Sequence, residues 1–416
     1  MSGVVARGTA EPTRDHSPFG VTRVEVKGFR SAREVAFAPG PLCALVGEAE
    51  AGKSNLLAAI RAVLDPAAAP LRPTDAAAGG GGQISIRIGF AGGADATLEA
   101  SPGRAAVAGA DQAPPVLFLP AGARARGVIA GGPPRAARAQ EAVEIFTGAL
   151  GREPTSASRA LSLVDALESC SARGITGLVL LIEEPELYLR PQAQRYLYRL
   201  LREFTAAGNQ VIYATHSANF LNVTRLDELV FVDRLSGTGT RALHPEPVTA
   251  DEDFRVITEF DATRSELFLA RAVVLVEGLT EKLVLPFVFS ALGYDVDRAA
   301  ISVVECGGKP NIPLFARICR ATGIPFVAVH DSDRKRDGRM TRPHRVLNEL
   351  IADTAGPDSV LLLDPDFETV AGLRGHRRKP ERAWREFATR GSSEIPSELV
   401  RVAELAVALT RSSAKA

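Results

Sequence analysis

The hydrophobic pattern changes period several times along the chain, and each change marks an expected element. From Val21 to Phe37 apolar and polar residues alternate (VTRVEVKGF, then AREVAF), as in a strand pair. Leu42–Val46 is continuously apolar and runs through a glycine-containing loop into Ser54–Leu64, where apolar residues recur at helical spacing. Strand, loop and helix are expected in that order. An Ala/Pro/Gly-rich loop over 66–82 precedes short alternating strands within 83–119, such as QISIRIGF and VLFLP. The Gly-, Pro- and Arg-rich interval 120–140 reads as a mobile loop. Helices are expected at Ser158–Ser171 and Gln192–Thr205, between buried strands at Leu178–Ile182, Asn209–Ala214 and Glu228–Val232.

A second αβ series starts near Arg271, with strands at Ala272–Val276, Ile301–Glu305, Pro325–Val329 and Val360–Leu363. No repeat of fixed period appears, which excludes a solenoid. For 416 residues, two α/β domains in series are the natural division. The expected boundaries are a disordered leader 1–20, a first domain 21–250, a linker 251–265, a second domain 266–390, and a C-terminal helix and tail 391–416.

Composition narrows the class. A chain 46% hydrophobic and 24% charged fits a globular protein. No run of about 18 apolar residues, the length that could span a membrane, appears in the chain, and the first twenty residues lack the apolar core of an export signal. Cys43, Cys170, Cys306 and Cys319 form no CxxC pair and lie in or beside apolar runs, as buried free thiols of a reducing compartment would. A cytoplasmic protein is expected. Lys plus Arg and Asp plus Glu balance at 49 each, so net charge neither supports nor excludes a nucleic-acid partner. Local charge is more telling: Arg334, Lys335, Arg336, Arg339, Arg342 and Arg345 crowd one segment, and Arg374, Arg377, Arg378, Lys379, Arg382 and Arg385 another. An isolated basic run is usually a solvated surface, but these flank a carboxylate cluster, which favours phosphate contact.

Two constellations carry chemistry. Gly47-Glu48-Ala49-Glu50-Ala51-Gly52-Lys53-Ser54, followed by Asn55, fills every fixed position of GxxxxGK[ST] between a strand and a helix. Its N–H groups would cradle the phosphates of ATP, Lys53 would reach the β/γ-phosphates, and Ser54 would ligate Mg²⁺. Leu178–Ile182 then delivers Glu183, Glu184 and Glu186 at a strand end, suited to holding Mg²⁺ and polarising water; helix capping is the plainer reading. The next strand leads to Thr215-His216-Ser217. In the second series, Val273–Val276 ends in Glu277-Gly278, with Glu281 opening a helix, and a later strand ends in His330-Asp331-Ser332-Asp333. Residues two apart on an extended segment point the same way, so Glu277, Asp331 and Asp333 could gather Mg²⁺ or Mn²⁺ for phosphodiester hydrolysis.

The first constellation resembles the ABC ATPases of the RecF/SMC type: LLIEEPELYLRPQ is similar to their Walker B and D-loop, and YATHS to their switch histidine. The resemblance implies Glu183 as the Walker B acid, Glu184 as catalytic base and His216 as γ-phosphate sensor. Two features depart from it. SASRALSLVDAL (Ser156–Leu167) stands without a glycine where the signature belongs, and Glu183 replaces the usual Asp. An acid-Gly followed by DxD at strand ends resembles the Toprim fold. An ABC head followed by Toprim resembles the OLD (overcoming lysogenization defect) family of ATP-dependent endonucleases over about residues 21–390. That resemblance implies Glu277, Glu281, Asp331 and Asp333 as metal ligands, Glu368 in LLLDPDFE as a further one, and a basic residue nearby, Lys379 or its rival Arg378. It also implies a nucleic-acid substrate, DNA before RNA, a homodimer with room for only a reduced helical insertion at 120–175, an unidentified protein partner, and a role in phage defence or DNA repair. A RecF-like clamp without nuclease activity and an RNA-cleaving nuclease stand as alternatives.

Overall fold

The computed structural model describes residues 20–413, apart from 68, 78–80, 122–125, 129–132, 151–155, 222, 236–238, 246–261, 336 and 374–378. The opening alternation forms the antiparallel pair β1 (Val21–Phe29) and β2 (Ala32–Phe37). With β4 (Ile84–Phe90), β5 (Asp95–Ser101) and β6 (Arg104–Ala108) it makes an antiparallel sheet of order β2-β1-β4-β5-β6. The inward residues Val24, Val26, Ile86, Ile88 and Leu98 pack with α1 (Lys53–Leu64). The outward residues of β1, Arg23, Glu25 and Lys27, are polar, as one-sided burial requires.

A seven-stranded sheet carries the first site. It contains β3 (Leu42–Val46), β7 (Val116–Leu119), β8 (Arg126–Val128), β9 (Val179–Glu183), β10 (Gln210–Thr215), β11 (Leu229–Leu235) and β12 (Gly239–Leu243). The order is β12-β11-β3-β10-β9-β7-β8; the five central strands run parallel and the two edges antiparallel. Continuous apolar strands are needed because both faces are covered. Leu42, Ala44 and Val46 face a core with α2 (Pro133–Leu150), α3 (Ser156–Ala172) and α4 (Pro191–Ala206), while Cys43 and Leu45 face the α1 side.

The second domain is a parallel sheet, β14-β13-β15-β16, built from β13 (Ala272–Val276), β14 (Ile301–Glu305), β15 (Phe326–Asp331) and β16 (Val360–Leu363). Ala272, Val274 and Val276 face α5 (Leu279–Ala291), α8 (Lys379–Phe387) and α9 (Ser397–Ser413). Val273 and Leu275 face α6 (Ile312–Thr322) and α7 (Arg342–Ala355). This last core is continuous with that of the first domain: Phe268, Val273, Leu275 and Phe315 share a cluster with Val211, Phe220 and Phe231, and the Phe231 and Phe268 rings lie 5.8 Å apart.

All four cysteines are buried and free, as expected. Two expectations are corrected. The interval 120–140 holds β8 and the first turns of α2, a helix that anchors through Ala142 and Phe146 beyond the Gly/Pro-rich stretch. The segment after residue 390 is a layer of the second domain, since α9 buries Leu399, Val402, Ala403 and Ala406 against its sheet. The leader 1–19 and most of the expected linker fall outside the described residues.

Candidate functional site

Two clusters of charged residues sit at the C-terminal ends of parallel strands, where open α/β sheets present their crevices. The first begins where β3 ends and residues 47–52 loop into α1. The glycines are required sterically: a Cβ on Gly47 would stand 1.9 Å from the Val232 carbonyl oxygen, and one on Gly52 2.2 Å from Thr240 Oγ1. Lys53, 5% exposed, donates to the carbonyls of Gly47 (2.7 Å) and Glu48 (2.8 Å). Burial lowers its pKa to about 8, with Glu184, Glu186 and Glu48 pulling the other way. Between the glycines, Ala49, Glu50 and Ala51 complete the turn, and Ala51 accepts from Thr240 Oγ1 at 2.9 Å. Asn55 donates to Ser31 Oγ (2.7 Å) and accepts from Arg30 (3.2 Å), tying α1 to the β1–β2 turn.

Adjacent strands β9 and β10 bring the acids and the histidine to this loop. Ser54 hydrogen-bonds the Glu183 carboxylate, which also accepts from the Ala121 N–H at 3.2 Å; burial raises the Glu183 pKa. Glu184 leaves the strand with φ 47, its N–H bonded to the Ala214 carbonyl at 2.9 Å. His216 follows β10, and burial, helped by Lys53, lowers its pKa against Glu184. Its N–H donates to Glu186 Oε1 at 2.6 Å. Glu186 is a residue whose role the sequence reading passed over. It ties the acid-bearing strand to the histidine-bearing one, and its only sequence signal is a third acid at the same strand end.

The second cluster sits on three neighbouring strand ends. Glu305 ends β14, Glu277 follows β13 and Asp331 ends β15. The Asp331 N–H donates to Glu277 Oε1 at 2.7 Å, and Asp331 Oδ1 accepts from the Phe367 N–H at 2.8 Å, in the turn that carries Glu368. Glu281 lies in the first turn of α5. Burial, then Glu277, then Glu281 and Glu368 raise the Asp331 pKa to about 8. Burial raises Glu277 to about 7, Glu281 and Asp333 adding to it and Lys309 opposing. Glu281 is raised by burial and by Glu368 and Glu305. Carboxylates gathered at one sheet edge offer hard oxygen donors of the kind divalent cations take. They are neighbours rather than a closed cage: among the described residues no three His, Cys, Asp or Glu are gathered tightly enough to enclose an ion.

Asp333 departs from expectation. The alternation of residues 331 and 333 requires an extended strand, but β15 stops at Asp331 and Asp333 has φ 54. Its Oδ2 accepts from Lys309 Nζ at 2.6 Å and contacts His344 Nδ1 at 2.7 Å. Burial works to raise its pKa, but these two contacts outweigh it and lower it. The basic residue described at this cluster is Lys309, 6% exposed, which also donates to the Asp331 carbonyl at 2.5 Å. Its sequence signal is the Gly307-Gly308-Lys309 run shortly after β14. The Lys379 side chain, and Arg378, fall outside the described residues. Of the second basic segment, Arg382 and Arg385 pair along α8 with Glu386 and Glu381.

Residues 268–333 match a family model described as "Overcoming lysogenization defect protein-like, TOPRIM domain", and residues 155–222 match an AAA domain model. An OLD nuclease of Thermus scotoductus is 36% identical over 222 residues, which cover 49% of this chain and 42% of that protein. The Old nuclease of Escherichia phage P2 is 30% identical over 161 residues, 37% of this chain and 28% of that one. Endonuclease GajA of Bacillus cereus is 22% identical over 244 residues, 52% and 35% of the two chains. The chain therefore spans less than half the length of these relatives.

Proposed function

We propose that the chain, which resembles OLD proteins in an AAA-type match followed by an OLD-like TOPRIM match, is an ATP-regulated, divalent-metal-dependent endonuclease acting on DNA. The observation that carries the reading is the 2.7 Å contact between the Asp331 N–H and Glu277 Oε1, which sets the Glu277 carboxylate against the end of the neighbouring strand that carries Asp331. Glu277, Glu281, Asp331 and Glu368 would hold Mg²⁺ or Mn²⁺. Bound there, such ions supply Lewis-acid stabilisation and an activated water to phosphodiester hydrolysis. Lys309 fixes the turn after β15 through the Asp331 carbonyl and Asp333. Exposed Arg342 and Arg345 on α7 offer phosphate contacts beside it.

In the first domain, the N–H groups of residues 47–54 and Lys53 take the phosphates of ATP. Ser54 and Glu183 would hold its Mg²⁺, Glu184 would serve as general base for the attacking water, and His216 would sense the γ-phosphate. The reading includes a cytoplasmic homodimer, because ATP sites of the ABC type are completed by a second head. Its domains run from residue 21 to 250 and from about 266 through α9. Among the described residues no helix is long and apolar enough to cross a membrane.

Supercoiled plasmid incubated with the purified chain and Mn²⁺ is expected to be nicked, and nicking is expected to vanish in Asp331→Ala. Intact plasmid with the wild type, or equal nicking by the variant, removes the nuclease. The second reading, a DNA-binding clamp that does not cleave, draws its support from Asp333, which is engaged by Lys309 and His344 instead of facing Glu277. Plasmid retention without nicking favours that reading.

A further inference from the structure

Arg271 is the last residue before β13, and its side chain reaches from the second domain to the phosphate loop of the first. Its Nε and Nη2 donate to the two carboxylate oxygens of Glu48 at 2.5 and 2.8 Å, a bidentate pair. Glu48 is the second residue of that loop, and its carbonyl receives Lys53 Nζ. An acid there sets a negative charge beside the phosphates the loop would bind, and like charges a few ångströms apart repel. The Arg271 guanidinium lies where it cancels that charge. It holds the Glu48 carboxylate below its ordinary pKa, with Lys53 contributing less. The other ionic groups lining this cleft are Asp233, Arg234 and Arg241, and Arg241 pairs with Asp233 at 3.5 Å. The pair is half-exposed on both sides, so its value to overall stability is small and its effect is local.

We propose that Arg271 is a positioning residue of the nucleotide site: by neutralising Glu48 and holding the phosphate loop, the Toprim domain lends ATP affinity to the ATPase domain. The proposal rests on the nucleotide reading of Gly47–Ser54. It has a mechanical corollary. The Arg271 N–H bonds the Ala300 carbonyl at 2.8 Å, and β13 runs directly from Arg271 to Glu277, so the residue that feels the loop is joined to the strand that carries the cleavage cluster.

The test is calorimetric titration of the full chain with Mg-ATP, comparing wild type, Arg271→Ala, Arg271→Lys, Glu48→Gln and the double variant Glu48→Gln/Arg271→Ala. Losing the compensating charge is expected to weaken binding roughly five- to tenfold in Arg271→Ala. Arg271→Lys, which keeps charge but not the fork, should fall between Arg271→Ala and wild type. The deciding comparison is in the Glu48→Gln background, where removing Arg271 should change affinity less than about twofold, because no charge needs compensation. A structural role for Arg271 would cost the same in both backgrounds. Equal affinity of wild type and Arg271→Ala, or equal losses in the two backgrounds, overturns the assignment and leaves the nucleotide site standing. A wild type that binds no ATP overturns both.

Discussion

Asp331→Asn is expected to raise the stability of the metal-free protein while abolishing cleavage. Asp331 is buried beside Glu277, Glu281 and Glu368, and its pKa stands at about 8 against an ordinary 3.8. The sign follows from linkage. A carboxyl whose folded pKa exceeds its unfolded one takes up protons on folding, so wild-type stability falls as pH rises from about 4 to about 8. At about 1.4 kcal/mol per tenfold change in proton affinity, the rise sets a ceiling of about 5–6 kcal/mol on what the variant can recover at pH 8. Glu277 shares the strain and is itself raised to about 7, so about 2–3 kcal/mol is the expected gain. Asparagine keeps an acceptor for the Phe367 N–H, which limits the loss of packing. Urea melts in EDTA at pH 8 and pH 5 measure the effect. The variant should lead clearly at pH 8, and its lead should shrink to about 1.5–2 kcal/mol at pH 5, where the folded wild type is already protonated. An Asp331→Asn midpoint below wild type at pH 8, or a lead independent of pH, refutes the crowding argument.

Further expectations bear on the other parts of the sites. Mn²⁺ should raise the wild-type melting temperature at pH 8, EDTA should reverse it, and Asp331→Asn should respond weakly; identical shifts in both proteins would move the ion elsewhere. Glu184→Gln should retain Mg-ATP binding but lose about 10²–10³-fold in phosphate release, and a loss below tenfold would mean another group acts as base. Lys309→Met removes two charge-assisted hydrogen bonds from a nearly buried position. It should cost about 2–4 kcal/mol by denaturant titration and lower nicking, and an unchanged midpoint would show the contacts to be passive.

Legibility in the sequence followed the range of the interactions. The phosphate loop could be read because its glycines answer local steric demands, and the strand ends because uninterrupted apolar runs such as AVVLV and FVAVH must be buried on both faces. Glu277 and Asp331 were thereby placed correctly at one sheet edge. The extended geometry expected of Asp333 fails because alternation holds only while the strand lasts, and the backbone turns after Asp331. The contacts of Lys309, and the tie that Glu186 makes to His216, have no local signature because their partners arrive by tertiary folding. Lys309 meets the turn after β15 from the loop after β14, and Glu186 meets His216 from the neighbouring strand. Helix α2 was obscured by the Gly/Pro composition just ahead of it. The Arg271–Glu48 pair, 223 residues apart, has no local signature at all.

The apolar cluster that runs from Val211 and Phe231 to Phe268 and Val273 has a bearing on modularity. Cutting the polypeptide between its halves would strand Leu267, Phe268 and Leu226 in water on raw faces, and such faces associate or aggregate. The two halves are thus not interchangeable cartridges. Transplanting this Toprim unit behind a different ATPase requires redesigning that face as well as the joint, and limited proteolysis should yield few long-lived fragments until the whole chain gives way.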